Sequence, residues 1–557
     1  MASLTIPLVM TFKQALSIFT LVLFTLSAAS ETRVFLEHSE TLSFDERRLP
    51  DAQILKGNVR FRHEEALMFC DSAYFYENTN SVTAFGNVRF EQGDTLRGFG
   101  NRLYYDGNTK LARLCRNVIL IHRSTTLTTD SLNYDRIADK AYYFTGGIIQ
   151  DSINTLQSVW GEYNPPTSTA FFRNKVTLHN ESLDLSSDTL IYNTQTAIAQ
   201  IVSPTDIYYE DETHIVSSNG WYNTSDDQAM LLNRSEIHHT DGRNLTGDSI
   251  FYDRLNGYGR LTNNITVNDT TRYLSLHGNK CELWEKDKNG YMTDRAIVEE
   301  WSEEDKRHYL HADTLFFAEL PCIDSTCTDT FYYQLNAYHN VRGWSEEYQL
   351  ICDSISFNTF DSLLILHHSP IVWNEDLQVS ADSIVVYIIN GSVDHAYGTG
   401  NVFFIKQETK DYYNQLTGKE FYAYVKDGEL TQIDANINAQ TVFYPRDDKD
   451  NITGVNKTQS AKVQIYLEER KVHHILFTTA TTGTMYPLDQ ISSSECFING
   501  FVWAEAERPS SIEDLFNRPP RTTATVHTAD IPTADTDEHK ETEHNHQHKT
   551  QKNKKRK

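Results

Sequence analysis

Apolar and polar residues alternate in short runs along most of this chain, and the same run keeps returning. In Asp130-Ser131-Leu132-Asn133-Tyr134-Asp135, Leu132 and Tyr134 share one face and Ser131 and Asn133 the other. Related phrases begin at Asp71, Asp188, Asp248, Asp313, Asp353 and Asp382, and more altered copies at Asn101, Val159, Ser218 and Asn279. As far as 279 they start about every 29 to 30 residues, and beyond 313 the steps lengthen. A second phrase falls about 15 residues after the first: Gly57-Asn58-Val59-Arg60-Phe61, Gly86-Asn87-Val88-Arg89-Phe90 and, later, Gly400-Asn401-Val402-Phe403-Phe404. Period two over five to nine residues rich in Val, Ile, Tyr and Phe predicts strands, and intervening pairs such as Gly107-Asn108 predict turns. A fixed period of this length predicts tandem repeats stacked on a continuous core.

Two architectures fit strand, turn, strand, turn: an elongated open β-jellyroll of two facing antiparallel sheets, or a right-handed parallel β-helix. The pattern favours the all-β jellyroll, because the unit is long for a β-helix coil and its polar positions vary from rung to rung. One step of about 4.8 Å for each of roughly thirteen units predicts a body of about 60 Å. In the second phrase, Val82, Ala84, Gly86, Val88 and Phe90 are expected to face inward together. Two readings exist for the recurring Asp: a column of carboxylates for Ca2+, or a residue that bonds its own backbone and turns the chain into the strand. Adjacent units replace it by Asn, Val or Ser, which favours the second.

The organisation read from the chain is a signal peptide over 1–30, a repeat body over 31–427, degenerate repeats capping that body over 428–507, and a disordered tail rich in His and Lys over 508–557. Lys13, a short apolar run from Ala15 to Leu26 and the small residues Ser27-Ala28-Ala29-Ser30 carry the first of these. Within the tail, Ile512 to Phe516 can form one helical turn. The 557 residues carry a net charge of −26, and this excess of acid argues against nucleic acid as a partner. Seven cysteines are too few and too scattered for a disulfide scaffold; Cys322 and Cys327 are near enough in one loop to bridge. No catalytic motif, metal-ligand spacing or cofactor signature stands out, so no catalytic residue, metal site or cofactor is assigned and an enzyme is not expected.

The paired phrases, Asp71 to Phe90 and Asp130 onward, closely resemble the OstA-like family over about residues 50–425. That family includes the periplasmic bridge protein of lipopolysaccharide transport and the periplasmic part of its outer-membrane translocon. The resemblance implies an open roll in the periplasm that takes the acyl chains of lipopolysaccharide or lipid A between its sheets. The unpaired end strands of such a roll would invite end-to-end addition of a like protein, and the resemblance makes other lipopolysaccharide-transport proteins, toward the outer membrane, the expected partners. The chain is far longer than the bridge protein and lacks the aromatic-girdled C-terminal strands of a translocon. The inward residues expected to meet lipid are Val88, Phe90, Leu132, Tyr134, Leu190, Tyr192, Ile250, Tyr252, Leu315 and Phe317. Small residues such as Ala84, Gly86, Ala197 and Ala199 would leave them room. A second reading is a secreted β-solenoid that binds or degrades polysaccharide, with Trp160, Trp221, Tyr222 and Trp284 stacking sugars on an outer face.

Overall fold

Each long strand bends once near its middle, and the bend is written in the second phrase. In the computed structural model, which describes residues 33–209, 213–302, 306–322, 330–389, 391–447, 449–469, 471–517 and 519–520, two consecutive residues turn left-handed there. The φ values are +82° and +46° at Gly57 and Asn58, +73° and +43° at Gly86 and Asn87, and +71° and +44° at Gly400 and Asn401. Asn and Gly are the residues that adopt this region at low cost, which explains the Gly-Asn pair. Ladder pairing is interrupted at the same points: Phe85 pairs with Arg102 and Val88 with Gly100, with the bend between them. At other units the strand breaks outright, as between Lys140–Tyr143 and Gly147–Gln150.

The bend sends the two halves of a strand into two different sheets. Residues 72–76 and 81–85 pair in one sheet, and residues 66–69 and 89–92 pair in the other, although all four segments belong to the strands Ala66–Tyr76 and Ser81–Gln92. The two sheets therefore share one edge, the row of bends, and open at the other, where the hairpin turns lie. All pairings between named strands are antiparallel, from Phe35–His38 and Thr41–Phe44 at one end to Lys471–Thr478 and Thr482–Tyr486 at the other. This is the open jellyroll and not the parallel β-helix. Each repeat adds two strands to each sheet, so the step is twice that expected from the sequence, and the body comes nearer to about 120 Å.

The recurring Asp sits at the bend, and neither sequence reading of it holds. Asp71 Oδ2 accepts from Asn87 Nδ2 at 2.9 Å, Asp313 Oδ2 from Asn340 Nδ2 at 2.6 Å, and Asp382 Oδ1 from Asn401 Nδ2 at 2.9 Å. Asp248 and Asn264 repeat the contact at 2.5 Å, and Glu40 replaces the Asp beside Asn58 at 2.6 Å. At these units the carboxylate of the first phrase clamps the Asn of the second across the shared edge. Gly86 is not inward-facing either. It forms the bend, and a Cβ there would strike the Asp71 carboxylate. Ala197 lies in a turn at φ +56°, while Ala84 and Ala199 do face the core, each at most 1% exposed.

One apolar core runs from Val34 to Val463 between the sheets. The outer face of the second sheet carries two further clusters, around Phe403, Ile405 and Val455 and around Ile351 and Trp373. Residues 487–517 cover that face as a strap running back along the roll. Buried Gln415 holds it with two bonds, donating to Cys496 O at 2.9 Å and accepting from Ile498 N at 2.8 Å. Buried Gln378 does the same with Val502 O and Ala504 N, both at 2.8 Å. Arg508 donates to Gln349 Oε1 at 2.7 Å, and Phe516 closes the strap against His311, ring centroids 4.7 Å apart. The turn at Glu513–Phe516 is the one expected at 512–516, but it is packed with Leu515 at 0% exposure, so the ordered chain extends past residue 508. Residues 1–30 and the His- and Lys-rich stretch beyond 520 lie outside the described residues.

The bend yields a direct prediction. Gly400→Ala places a Cβ at φ +71° against Asp382 and costs about 1–3 kcal/mol, whereas Asn401→Gly tolerates the φ of +44° and removes only the clamp to Asp382, costing about 1 kcal/mol. Hydrogen exchange over Ser392–Gln407 and Tyr413–Lys426 should quicken in both, more in the first; unchanged exchange would contradict the clamp.

Candidate functional site: a slot closed in one half and hollow in the other

The open side of the roll is built differently along its length. In the N-terminal half, side chains from the two rows of hairpin turns meet across the slot. His63 Nδ1, from the second sheet, is hydrogen-bonded to the Tyr105 hydroxyl of the first at 2.6 Å. Arg136 donates to the same hydroxyl at 2.7 Å and to Gln92 Oε1 at 3.0 Å, and Lys110 Nζ pairs with Glu64 at 2.5 Å. Further along, His122 Nδ1 bonds Tyr163 at 2.8 Å, Tyr192 donates to Asp151 at 2.5 Å, and Asn154 Nδ2 donates to Thr224 Oγ1 at 2.9 Å. The closure ends at Tyr209. There Arg254 lies 4.5 Å over its ring, and Tyr222 packs edge-on at 6.3 Å while donating to Asp227.

These phenols are buried with their hydroxyls satisfied, and burial raises their pKa values: Tyr143, bonded to Ser158 at 2.7 Å, is pushed up to about 12, and Tyr134 and Tyr192 also rise, with a neighbouring carboxylate adding to the effect. They therefore stay neutral donors throughout the ordinary pH range. The imidazole of His122 moves below its usual 6.5, because burial first and the Arg123 charge second disfavour its cationic form.

Beyond Tyr209 the sheets stand apart. A cavity of about 2090 Å³ runs between them, bounded at one end by Tyr209 and Ile215 and at the other by Val472 and Ile475. Its walls are the inward residues of successive rungs, among them Leu283, Phe317, Phe357, Val386, Ala423 and Ile465. Charged side chains rim the mouth, chiefly in pairs such as Lys288 with Glu319 and Lys306 with Glu347. Arg272 reaches over the opening to Tyr333, donating to its hydroxyl and lying 4.2 Å over its ring. The volume is roughly twice the upper end of ordinary ligand pockets, about 300–1,000 Å³.

The structure separates the inward residues named from the sequence into two groups. Val88, Phe90, Leu132, Tyr134, Leu190 and Tyr192 lie in the closed half, filled and at most 1% exposed. Ile250, Tyr252 and Phe317 line the hollow half, while Leu315 is at its level but fully packed at 0% exposure. Residues beyond 317, such as Phe357 and Val386, complete the wall; their parity in the later phrases was the signal that marks them. Of the aromatics considered for sugar stacking, Trp160 does lie outside, edge-on to Phe171 at 6.4 Å. Tyr222 instead faces inward at 2% exposure, because it shares parity with Gly220. Trp284 lies at the cavity's rim. Cys322 is disulfide-bonded, Cys327 lies outside the described residues, and Cys70, Cys115, Cys281 and Cys496 are free thiols. Among the described residues, no three His, Cys, Asp or Glu side chains gather into a metal-binding group, and no helix is long and apolar enough to cross a membrane.

The bent-strand roll thus encloses an apolar cavity between its sheets over residues 209–475. Residues 31–188 match the family described as OstA-like protein. No curated protein matches the chain. OstA-like proteins are a periplasmic transport and binding family connected with lipopolysaccharide, not a catalytic one. The matched stretch lies wholly in the closed half.

The His122 contact generates a pH prediction. A histidine whose folded pKa is lowered leaves stability intact above the unfolded value near 6.5, and that stability is lost as pH falls toward the folded pKa. Hydrogen exchange at Leu111–His122 and Trp160–Asn164 should accelerate as pH falls below about 6.5, once corrected for intrinsic rates. His122→Gln should abolish that dependence; if it persists, another group is responsible.

Proposed function

We propose that this protein is a periplasmic lipid-binding scaffold that carries or bridges lipopolysaccharide toward the outer membrane, holding its acyl chains in the hollow half of the roll. The observation that carries this reading is the apolar cavity between residues 209 and 475. Each methylene moved from water into such a slot contributes about 0.8 kcal/mol, so even one acyl chain is held firmly. The sugar headgroup stays in water at the charged mouth. The OstA-like stretch at 31–188 supports the transport context.

Partner proteins of the same pathway add at the ends of the roll. The terminal strands Phe35–His38 and Thr41–Phe44 carry Phe35, Leu42 and Phe44 at 62%, 57% and 59% exposure, and Lys471–Thr478 leaves Leu476 at 48%. Such edges offer unpaired backbone groups to another strand.

Native mass spectrometry of the chain purified from a Gram-negative host without detergent tests the lipid reading. Bound lipopolysaccharide or lipid A is expected, and Phe357→Glu, which puts a carboxylate into the wall, should abolish it. A chain that carries no lipid and takes up none from micelles would contradict the proposal.

A further inference from the structure

Each rung presents two inward residues to the slot from the first sheet, and the second of them lies nearest the open side. Read in order, that position is occupied by Tyr105, Tyr134, Tyr163, Tyr192, Tyr222 and Tyr252, and then by Leu283, Phe317, Phe357, Val386, Ala423 and Ile465. The change from phenols to residues without a hydroxyl coincides with the change from closed to hollow. The first five tyrosines are at most 2% exposed and outside the cavity; Tyr252 and all six that follow line it.

The chemistry accounts for the coincidence. A phenol ring fills the slot, and its hydroxyl reaches the opening, where burial requires a partner. His63, His122 and Asp151 on the opposite sheet meet Tyr105, Tyr163 and Tyr192. Tyr134 bonds Asp139, which also accepts from Gln92 of the opposite sheet at 3.2 Å. Tyr252 is the transition: its hydroxyl donates to Glu285 at 2.6 Å, in the turn of its own sheet, so nothing is drawn across. Farther on the column position itself carries no hydroxyl and the sheets part; the Arg272–Tyr333 contact spans the mouth from outside the column. Ahead of the column, Phe75 closes the slot by packing on Phe61, ring centroids 5.4 Å apart.

We infer that this tyrosine column is the boundary of the ligand compartment. The acyl chains of an amphiphile are confined to residues 209–475 and stop at Tyr209, Tyr222 and Tyr252, while the OstA-like half at 31–188 acts as a filled rod that does not pass lipid. This rests on the lipid-binding reading above. It goes beyond that reading in assigning the stop to particular side chains, which makes the roll a holder with one closed end.

Photo-crosslinking from p-benzoylphenylalanine in the full-length chain tests the boundary. The probe replaces Phe317 or Phe357 in the hollow half and Phe90 or Phe172 in the closed half, with lipopolysaccharide micelles in one arm and phosphatidylethanolamine vesicles in the other. Labelling by either lipid at 317 and 357, with none at 90 and 172, is the expected result, and the arm that labels names the source of the acyl chains. Equal labelling at all four positions overturns the boundary and leaves lipid binding standing; no labelling anywhere overturns both. Tyr192→Leu combined with Tyr222→Leu should bring labelling to position 172. Unchanged absence of label there, in a variant with an unaltered circular dichroism spectrum, would show that the column does not set the limit. If the double variant fails to fold, the four-position profile of the otherwise unaltered chain decides.

Discussion

The architecture depends on the two-residue left-handed bend and the carboxylate that clamps it. Without the bend, strands of eleven or twelve residues would run straight and make one flat sheet with both faces wet. With it, every strand contributes to two sheets, and their apolar faces are turned toward each other. Asn87, Asn264, Asn340 and Asn401 are suited to the bend twice over: the backbone tolerates positive φ, and the side-chain amide reaches the Asp of the neighbouring strand. The clamp bonds are exposed and individually contribute about 1 kcal/mol, but they recur along the shared edge and fix where each strand turns.

Once one edge is fixed, the separation at the other is set by what lies between the sheets. In the closed half, tyrosine rings fill the space and their hydroxyls are held by His63, His122 and Asp151 from the opposite side and by Arg136 and Asp139 from their own. In the hollow half the same positions carry smaller or purely apolar residues, and the wall loses contacts on its inner face. The strap at 487–517 restores contacts on the outer face over much of that length, from Phe516 at His311 to the Gln415 clamp. A hollow wall is thus braced from outside, and a filled one needs no brace.

Much of the fold was legible in the sequence. The period, the alternation and the inward parity of Leu132, Tyr134, Leu190 and Tyr192 all follow from the phrases themselves, because side-chain direction in a strand is fixed by parity. What parity could not reveal is the pairing between phrases. Asp71 and Asn87 are sixteen residues apart, and their contact exists only because the bend brings them together, so the local sequence points to a turn-former instead. For the same reason parity alone puts Gly86 with the inward residues, although it forms the bend. The strap is not legible in the pattern, because its grip consists of two buried glutamines bonded to backbone, which leave no periodic trace. Candidate site residues were named from parity alone, which selects every inward side chain without distinguishing packed from cavity-lining ones. The distinguishing signal was present in the column from Tyr105 to Ile465, but it takes its meaning from the cross-slot partners His63, His122 and Asp151.

The central claim is that the hollow half is the ligand compartment of this protein. Hydrogen–deuterium exchange of the full-length chain, with and without lipopolysaccharide, tests it most directly. The account predicts added protection in the cavity-wall strands Leu363–His367, Ser383–Ile389 and Tyr413–Lys426, and none in Gln53–His63, Leu96–Asp106 or Leu183–Asn193. Protection spread evenly along the roll, or confined to its N-terminal half, would contradict it.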